Sequence, residues 1–332
     1  MSRVRRLQVL AVGAMLLALA ALAGALWSSD RAAQIQGPVT LVATAGGELW
    51  VGADERLWRV GADGTLRHDD DLRALGVPGT PATLTRLPQG GVVASVRHDP
   101  TLYLLDAASA RVVGRIRPQW PAELAEHGSR AIHVALHPDG RIAIATGGGH
   151  AVALFAADGR FIARTAPGFY RYTNGLWWAG DALWTSDTNR TQLKRLDGGT
   201  LALQETVQLE AGHGTRFLGP AREHARRPDR VAIVRYANGM TVGRVAVVEG
   251  QPPQERALDG AGVFEPHDVD WLGDDVVATD GRSHRVLRIA ADGGGLAVPF
   301  GGAEVQRRID AGLAERARAQ RAGGSVWPPR QS

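Results

Sequence analysis

A chain of 332 residues, 44% hydrophobic and 22% charged, is long enough for a large buried core and too apolar for disorder to be its default state. It contains no cysteine, which excludes disulfides, thiolate metal sites, cysteine nucleophiles and a lipoprotein anchor. Its 38 basic residues are all arginine except Lys194, and because arginine does not titrate away, a net charge of only +4 holds the pI near 10.0.

That charge is unevenly placed. Residues 1–27 carry Arg3, Arg5 and Arg6 without an acid, and residues 303–332 carry six arginines against Glu304, Asp310 and Glu315. The stretch between them, 28–302, holds 29 basic and 31 acidic residues. The body of the chain is close to neutral, so a basic face for nucleic acid is not expected.

The N-terminal arginines precede an uncharged run from Leu7 to Trp27, interrupted only by Gln8. Its length suits a membrane-spanning helix, and the positive-inside bias puts its start in the cytoplasm. A cleaved signal peptide ending at Ala21-Leu22-Ala23 is the alternative. Either reading exports the rest. The expected organisation is a signal-anchor over 1–27, a linker over 28–37, the main domain over 38–302 and a basic helical tail over 303–332. The expected location is the inner membrane, single-pass, with the main domain on the periplasmic side.

From residue 38 onward a tight turn recurs, usually Asp-Gly after a short strand. It stands at Asp63-Gly64, Asp106-Ala107, Asp158-Gly159, Asp197-Gly198, Glu249-Gly250 and Asp292-Gly293. Before each turn come two short strands with alternating apolar residues, as in LWVGADERLWRVGADG and VVATDGRSHRVLRIAADG. One strand precedes each pair and one follows. Four strands every 40 to 50 residues or so make a propeller blade. The predicted fold is therefore all-β: a six-bladed β-propeller with an N-terminal transmembrane helix and a short C-terminal helix. Its blades fall near 38–73, 80–118, 130–165, 170–208, 213–258 and 262–300. The first blade supplies its own first strand, PVTLVATA, and the last its own fourth, GLAVPF. In the tail, Val305, Ile309 and Leu313 form a narrow helical stripe.

In such a ring the innermost strands begin, and the second strands end, on one face. Counting back from each turn puts His133, Asn174 and His267 at one repeat position, the rim of the central channel, with His213 nearby. Strand ends on that face add Arg97, His98, His150, Asp187, Arg235 and Asp280. The inter-blade loops add Trp120, Phe169, Tyr170, Tyr172 and Arg216. The expected ligand-binding residues are His133, Asn174, His213, His267, Asp268, Arg97 and Tyr172. A divalent cation, Ca²⁺ or Zn²⁺, on Asn174, Asp187 and His267 is a further expectation. Asp187 and Asp280 also fit a plainer role, bonding to backbone N–H groups of their own hairpins. Asp69-Asp70-Asp71 is expected in a solvated inter-blade turn, and Trp50, Trp58, Trp177 and Trp184 in the core.

Two segments carry a family resemblance. PHDVDWLGDDVVATDGRSHRVLRIAADG (266–293) resembles an NHL repeat. TNGLWWAGDALWTSDTNRTQLKRLDGG (173–199) is similar both to NHL repeats and to the gluconolactonase and strictosidine-synthase group, whose Asn-Gly and strand-end Asp match Asn174-Gly175 and Asp187. That group's Glu-Gly-Pro segment has no counterpart; the first blade reads AGGELWVG, with Glu48 in a hairpin. The resemblance implies a module binding a small molecule or protein on the propeller face, which the N-terminal run would tether to the membrane. Its alternative is a metal-dependent hydrolase of the lactonase or esterase kind, with a lyase-like zinc site on His133, His213 and His267 as a further option.

Overall fold

In the computed structural model the described residues are 40–300, apart from 54, 97, 125–132, 147–149, 210–216, 238–242, 251–252, 259–264, 282–284 and 293–297, together with 307, 311, 314 and 318. Six four-stranded antiparallel sheets follow one another along the chain, and each pairs its strands in sequence order. Blade 1 runs over 40–71, blade 2 over 81–116, blade 3 over 133–164, blade 4 over 173–208, blade 5 over 217–257 and blade 6 over 266–300. The first and last sheets each use four of their own strands, so no strand is exchanged across the closure.

The innermost strands are Thr40–Ala43, Pro81–Arg86, His133–Leu136, Thr173–Ala179, Phe217–His224 and Pro266–Leu272. Each lies against its two neighbours, and the sixth against the first, which closes the ring. Apolar residues of the strands face the next blade on both sides. Val42, Trp50 and Leu57 pack with Leu84, Val92 and Ala94 between blades 1 and 2, and Val234 and Val245 pack with Val269 and Trp271 between blades 5 and 6. The expected core tryptophans hold: Trp50 is fully buried, and Trp177 stacks on Trp184 with ring centroids 6.0 Å apart. Innermost strands approach closely where side chains are small. A Cβ on Gly175 would meet the Ala221 backbone nitrogen at 2.9 Å, so blades 4 and 5 require glycine there.

Ring closure rests on side chains. Asp268 of blade 6 accepts from Thr40 Oγ1 at 2.7 Å and Leu41 N at 3.2 Å in blade 1. Two residues on, Asp270 accepts from Ala43 N at 2.8 Å. Arg222 of blade 5 crosses the channel to blade 2, where it donates to Thr83 Oγ1 at 3.3 Å and Leu84 O at 3.2 Å, with Asp268 3.7 Å away.

A second device recurs on the opposite face. Between blades 3 and 4, His137 meets Trp178 edge-on at 4.8 Å and Asp181 at 3.4 Å, while Arg141 lies over the Trp178 ring and reaches Gly198 O. Between blades 5 and 6, His224 meets Trp271 edge-on at 4.8 Å and Asp274 at 3.2 Å, while Arg230 lies over the Trp271 ring and reaches Ala291 O.

The aspartate run departs from expectation. Asp69, Asp70 and Asp71 end the fourth strand of blade 1 (Leu66–Asp71) and carry separate tasks. Asp69 holds Arg56 and Trp58, Asp70 pairs with Arg59, and Asp71 caps a single helical turn, Leu72–Leu75. The Asp71 carboxylate takes up the Arg73 and Ala74 N–H groups, which the first turn of a helix leaves without an intrahelical partner.

No helix among the described residues is long and apolar enough to cross a membrane. The expected anchor, 1–27, lies outside the described residues. In the tail, Arg307, Ala311, Ala314 and Arg318 are helical and exposed.

Candidate functional site

The mouth of the channel is built by the starts of the innermost strands. His133 opens that strand in blade 3 and is buried. Its Nε2 lies 3.1 Å from Asn174 Oδ1 at the equivalent position of blade 4, so the ring donates there and leaves Nδ1 unprotonated. Burial, then the nearby Arg222 charge, lower the His133 pKa to about 3. His133 is thus a neutral inter-blade hydrogen-bond donor. Both residues open innermost strands as the repeat spacing placed them, and they bond through His133 Nε2 and Asn174 Oδ1, while His133 Nδ1 is buried with no hydrogen-bond partner among the described residues.

His267 opens the corresponding strand of blade 6 and is exposed. Crowding by surrounding protein lowers its imidazole pKa, against the pull of Glu265, Asp280 and Asp268. Its neighbour Asp268 is buried and is the ring clasp described above; burial raises its pKa, against the pull of Arg222 and its donors. Adjacent residues on a strand point to opposite sides, which is why sequence placed both at the rim and the fold separates them.

Asp187 ends the second strand of blade 4 and is fully buried. Lys194 Nζ lies 2.8 Å and Arg190 3.2 Å from its Oδ2, and Arg171 N donates to its Oδ1 at 3.2 Å. Its Oδ2 is held by two of the protein's own cations and its Oδ1 by a backbone N–H, so of the residues expected for a divalent metal, Asn174, Asp187 and His267, Asp187 is already engaged. Among the described residues no three His, Asp or Glu side chains group as a metal cage would require. Asp280 likewise bonds locally, accepting from Glu265 N at 3.0 Å, and buried Arg235 pairs with Glu255 at 3.2 Å. Glu48 sits in a hairpin on the far face and holds Trp50 Nε1 at 2.7 Å. Arg97, His213 and Arg216 lie outside the described residues.

What the mouth leaves facing outward is different. His98 and His150 are exposed in the hairpins after the second strands of blades 2 and 3, both with positive φ (67° and 52°). Tyr172 is half-buried, with its ring 6.2 Å from that of His150, and Arg171 beside it is exposed. Trp120 instead caps the core, edge-on to Phe155 at 4.8 Å. Sequence reasoning missed Arg171 and Lys194. Lys194 had a signal, as the one lysine of the chain.

No protein-family model and no curated protein matches the chain. Solved structures do. The chain is similar to a streptogramin B lyase (TM-score 0.56, 13% identity, 80% of this chain and 83% of that one). It is similar to virginiamycin B lyase from Staphylococcus aureus (0.53, 14%, 80% and 84%) and to hydrazine synthase from Kuenenia stuttgartiensis (0.51, 13%, 88% and 84%). At these identities the likeness is one of fold. The chain is a six-bladed β-propeller, with lyases among its structural neighbours.

Proposed function

We propose that this chain is a membrane-anchored, extracytoplasmic propeller that binds a ligand or protein at its channel mouth. One observation carries the reading. At the mouth the buried carboxylates and the His133 Nε2 bond to other protein groups, His133 to Asn174, Asp187 to Lys194, and Asp268 to Thr40 and Leu41. Exposed on the loops are the imidazoles of His98 and His150 and the guanidinium of Arg171, with Tyr172 half-buried beside them, a composition suited to recognition. The anchor rests on Arg3, Arg5 and Arg6 before the apolar run 7–27, and the NHL-like wording of blades 4 and 6 agrees with a binding role. Co-purification from membranes tests it: a stoichiometric partner should be recovered by the native chain and lost with His267→Ala plus Tyr172→Ala. Failure to retain any partner or ligand would sink the reading.

A propeller enzyme of the hydrolase or lyase class is the second reading. Exposed His267, with Glu265 and Asp280 near enough to act on its charge, favours it as a proton acceptor. The lyases among its structural neighbours share its fold. Lactone and ester hydrolysis assays, with calorimetric titration of Ca²⁺ and Zn²⁺, decide between the two.

A further inference from the structure

The loop 165–172, which leads from blade 3 into blade 4, is held from beneath by an unusual number of bonds. Phe169 O accepts from Lys194 Nζ at 2.8 Å and from Arg190 Nη1 at 2.7 Å. The Tyr170 hydroxyl bonds Thr185 Oγ1 at 2.7 Å, and Thr188 N donates to Tyr172 O at 2.8 Å. The Lys194 ammonium sits over the rings of Phe169 (4.5 Å) and Tyr170 (4.7 Å). Burying an ammonium and a carboxylate costs desolvation that a merely connecting loop does not require. The result is a held platform whose exposed residue is Arg171, with Tyr172 half-buried beside it and exposed His150, at positive φ, across from the Tyr172 ring.

Charge selects what this platform accepts. Arg190 and Lys194 share the single carboxylate of Asp187, which also accepts from the Arg171 backbone N–H, while the exposed Arg171 side chain has no ion-pair partner among the described residues. A positive, pre-ordered patch with an exposed arginine and a half-buried tyrosine has the composition of a binding hot spot. It is an outward-facing loop rather than an enclosed pocket, so it suits an extended chain better than a small ion.

Resting on the binding reading above, we propose that Arg171, Tyr172 and His150 anchor an acidic peptide segment of a protein partner, with a carboxylate on Arg171 and the chain lying over the Tyr172 ring. The test is fluorescence anisotropy of the purified full-length chain with a short labelled Glu/Ser peptide, against a Lys/Ser peptide. The Glu/Ser peptide should bind, the more weakly as salt rises, and Arg171→Glu should weaken it about tenfold or more. Tyr172→Ala should weaken it while Tyr172→Phe retains it. Arg160→Glu, on an exposed arginine of the opposite face, should change nothing. His150→Gly should weaken binding while leaving the melting temperature unchanged or higher, since glycine relieves the positive φ. Binding unaffected by Arg171→Glu overturns the proposal, as does equal competition by inorganic phosphate or acetate, which would mark a small-anion site. Should a partner be captured through His267 with Arg171→Glu intact in capture, this proposal fails and the binding reading stands.

Discussion

Lys194, the one lysine among 38 basic residues, lies 2.8 Å from Asp187 inside blade 4. Both side chains are buried, and the ammonium fills a slot between two aromatic rings that a planar, wider guanidinium does not match. Lys194→Met leaves Asp187 deprived of its closest counter-charge and should cost about 3–5 kcal/mol. Lys194→Arg should cost about 1–3 kcal/mol through overpacking. Urea unfolding of both variants checks this; a neutral Lys194→Arg would refute the slot.

The ring clasp yields a second expectation. Asp268 accepts from Thr40 Oγ1, Leu41 N and Val269 N, and it stands 3.7 Å from Arg222. Asp268→Ala strips these acceptors from buried donors and should cost about 2–4 kcal/mol. Thr40→Val should cost about 1–3 kcal/mol, because it removes the donor to Asp268 and also leaves the buried Leu84 N without its acceptor at 2.9 Å. Proteolysis of the Asp268→Ala protein should begin at blades 1 and 6, where the clasp is.

Glu223 and His133 set opposite slopes of stability with pH. Burial raises the Glu223 carboxyl from 4.5 to about 7. A raised folded pKa gives stability that is complete below the unfolded value and lost as pH climbs through 7. Glu223→Gln should therefore stabilise the protein at pH 8, by about 2 kcal/mol or less given its partial exposure, and make no difference near pH 4. Denaturation at the two pH values measures it.

His133 runs the other way. Its pKa is lowered from 6.5 to about 3, so its contribution is whole above 6.5 and drains as pH falls toward 3. In NMR spectra the His133 ring protons should not titrate between pH 8 and 4. An inflection for His133 near 6 would show that the ring is not buried beside Arg222 as the structure has it.

The two His–Trp–Asp clamps should be energetically alike. His137→Ala and His224→Ala each remove a bond to the next blade and an edge contact with a tryptophan, and each should cost about 2 kcal/mol. Thermal unfolding of the two variants, and near-additive loss in the double variant, checks the equivalence.

The ring itself was legible from the recurring Asp-Gly turns, because a hairpin turn is a local event written in adjacent residues. The placing of His133 and Asn174 at equivalent strand starts was legible for the same reason, through their distance from those turns, whereas their bond to each other was not. Asp187 and Asp268 were read as ligands because sequence gives a residue's height along a blade but not its partner. Arg222 finds Thr83 across the channel, 139 positions away in the chain, and no local pattern announces that bond. The clamps did leave a trace: both tryptophans sit in Trp-x-Gly-Asp, at Trp178–Asp181 and Trp271–Asp274. That tetrad marks where a blade's first hairpin turns under its neighbour.

The absence of a strand shared between first and last blades has a consequence for manufacture. Each sheet is complete once its own residues have emerged, so blades can form in order of synthesis or export without waiting for a distant segment. The circle then shuts by side-chain bonds from Asp268 and Asp270 to blade 1. A seam of that kind has no fixed place in the chain. Joining the ends of blades 6 and 1 and opening the chain at another inter-blade loop should give a circular permutant with the same ring.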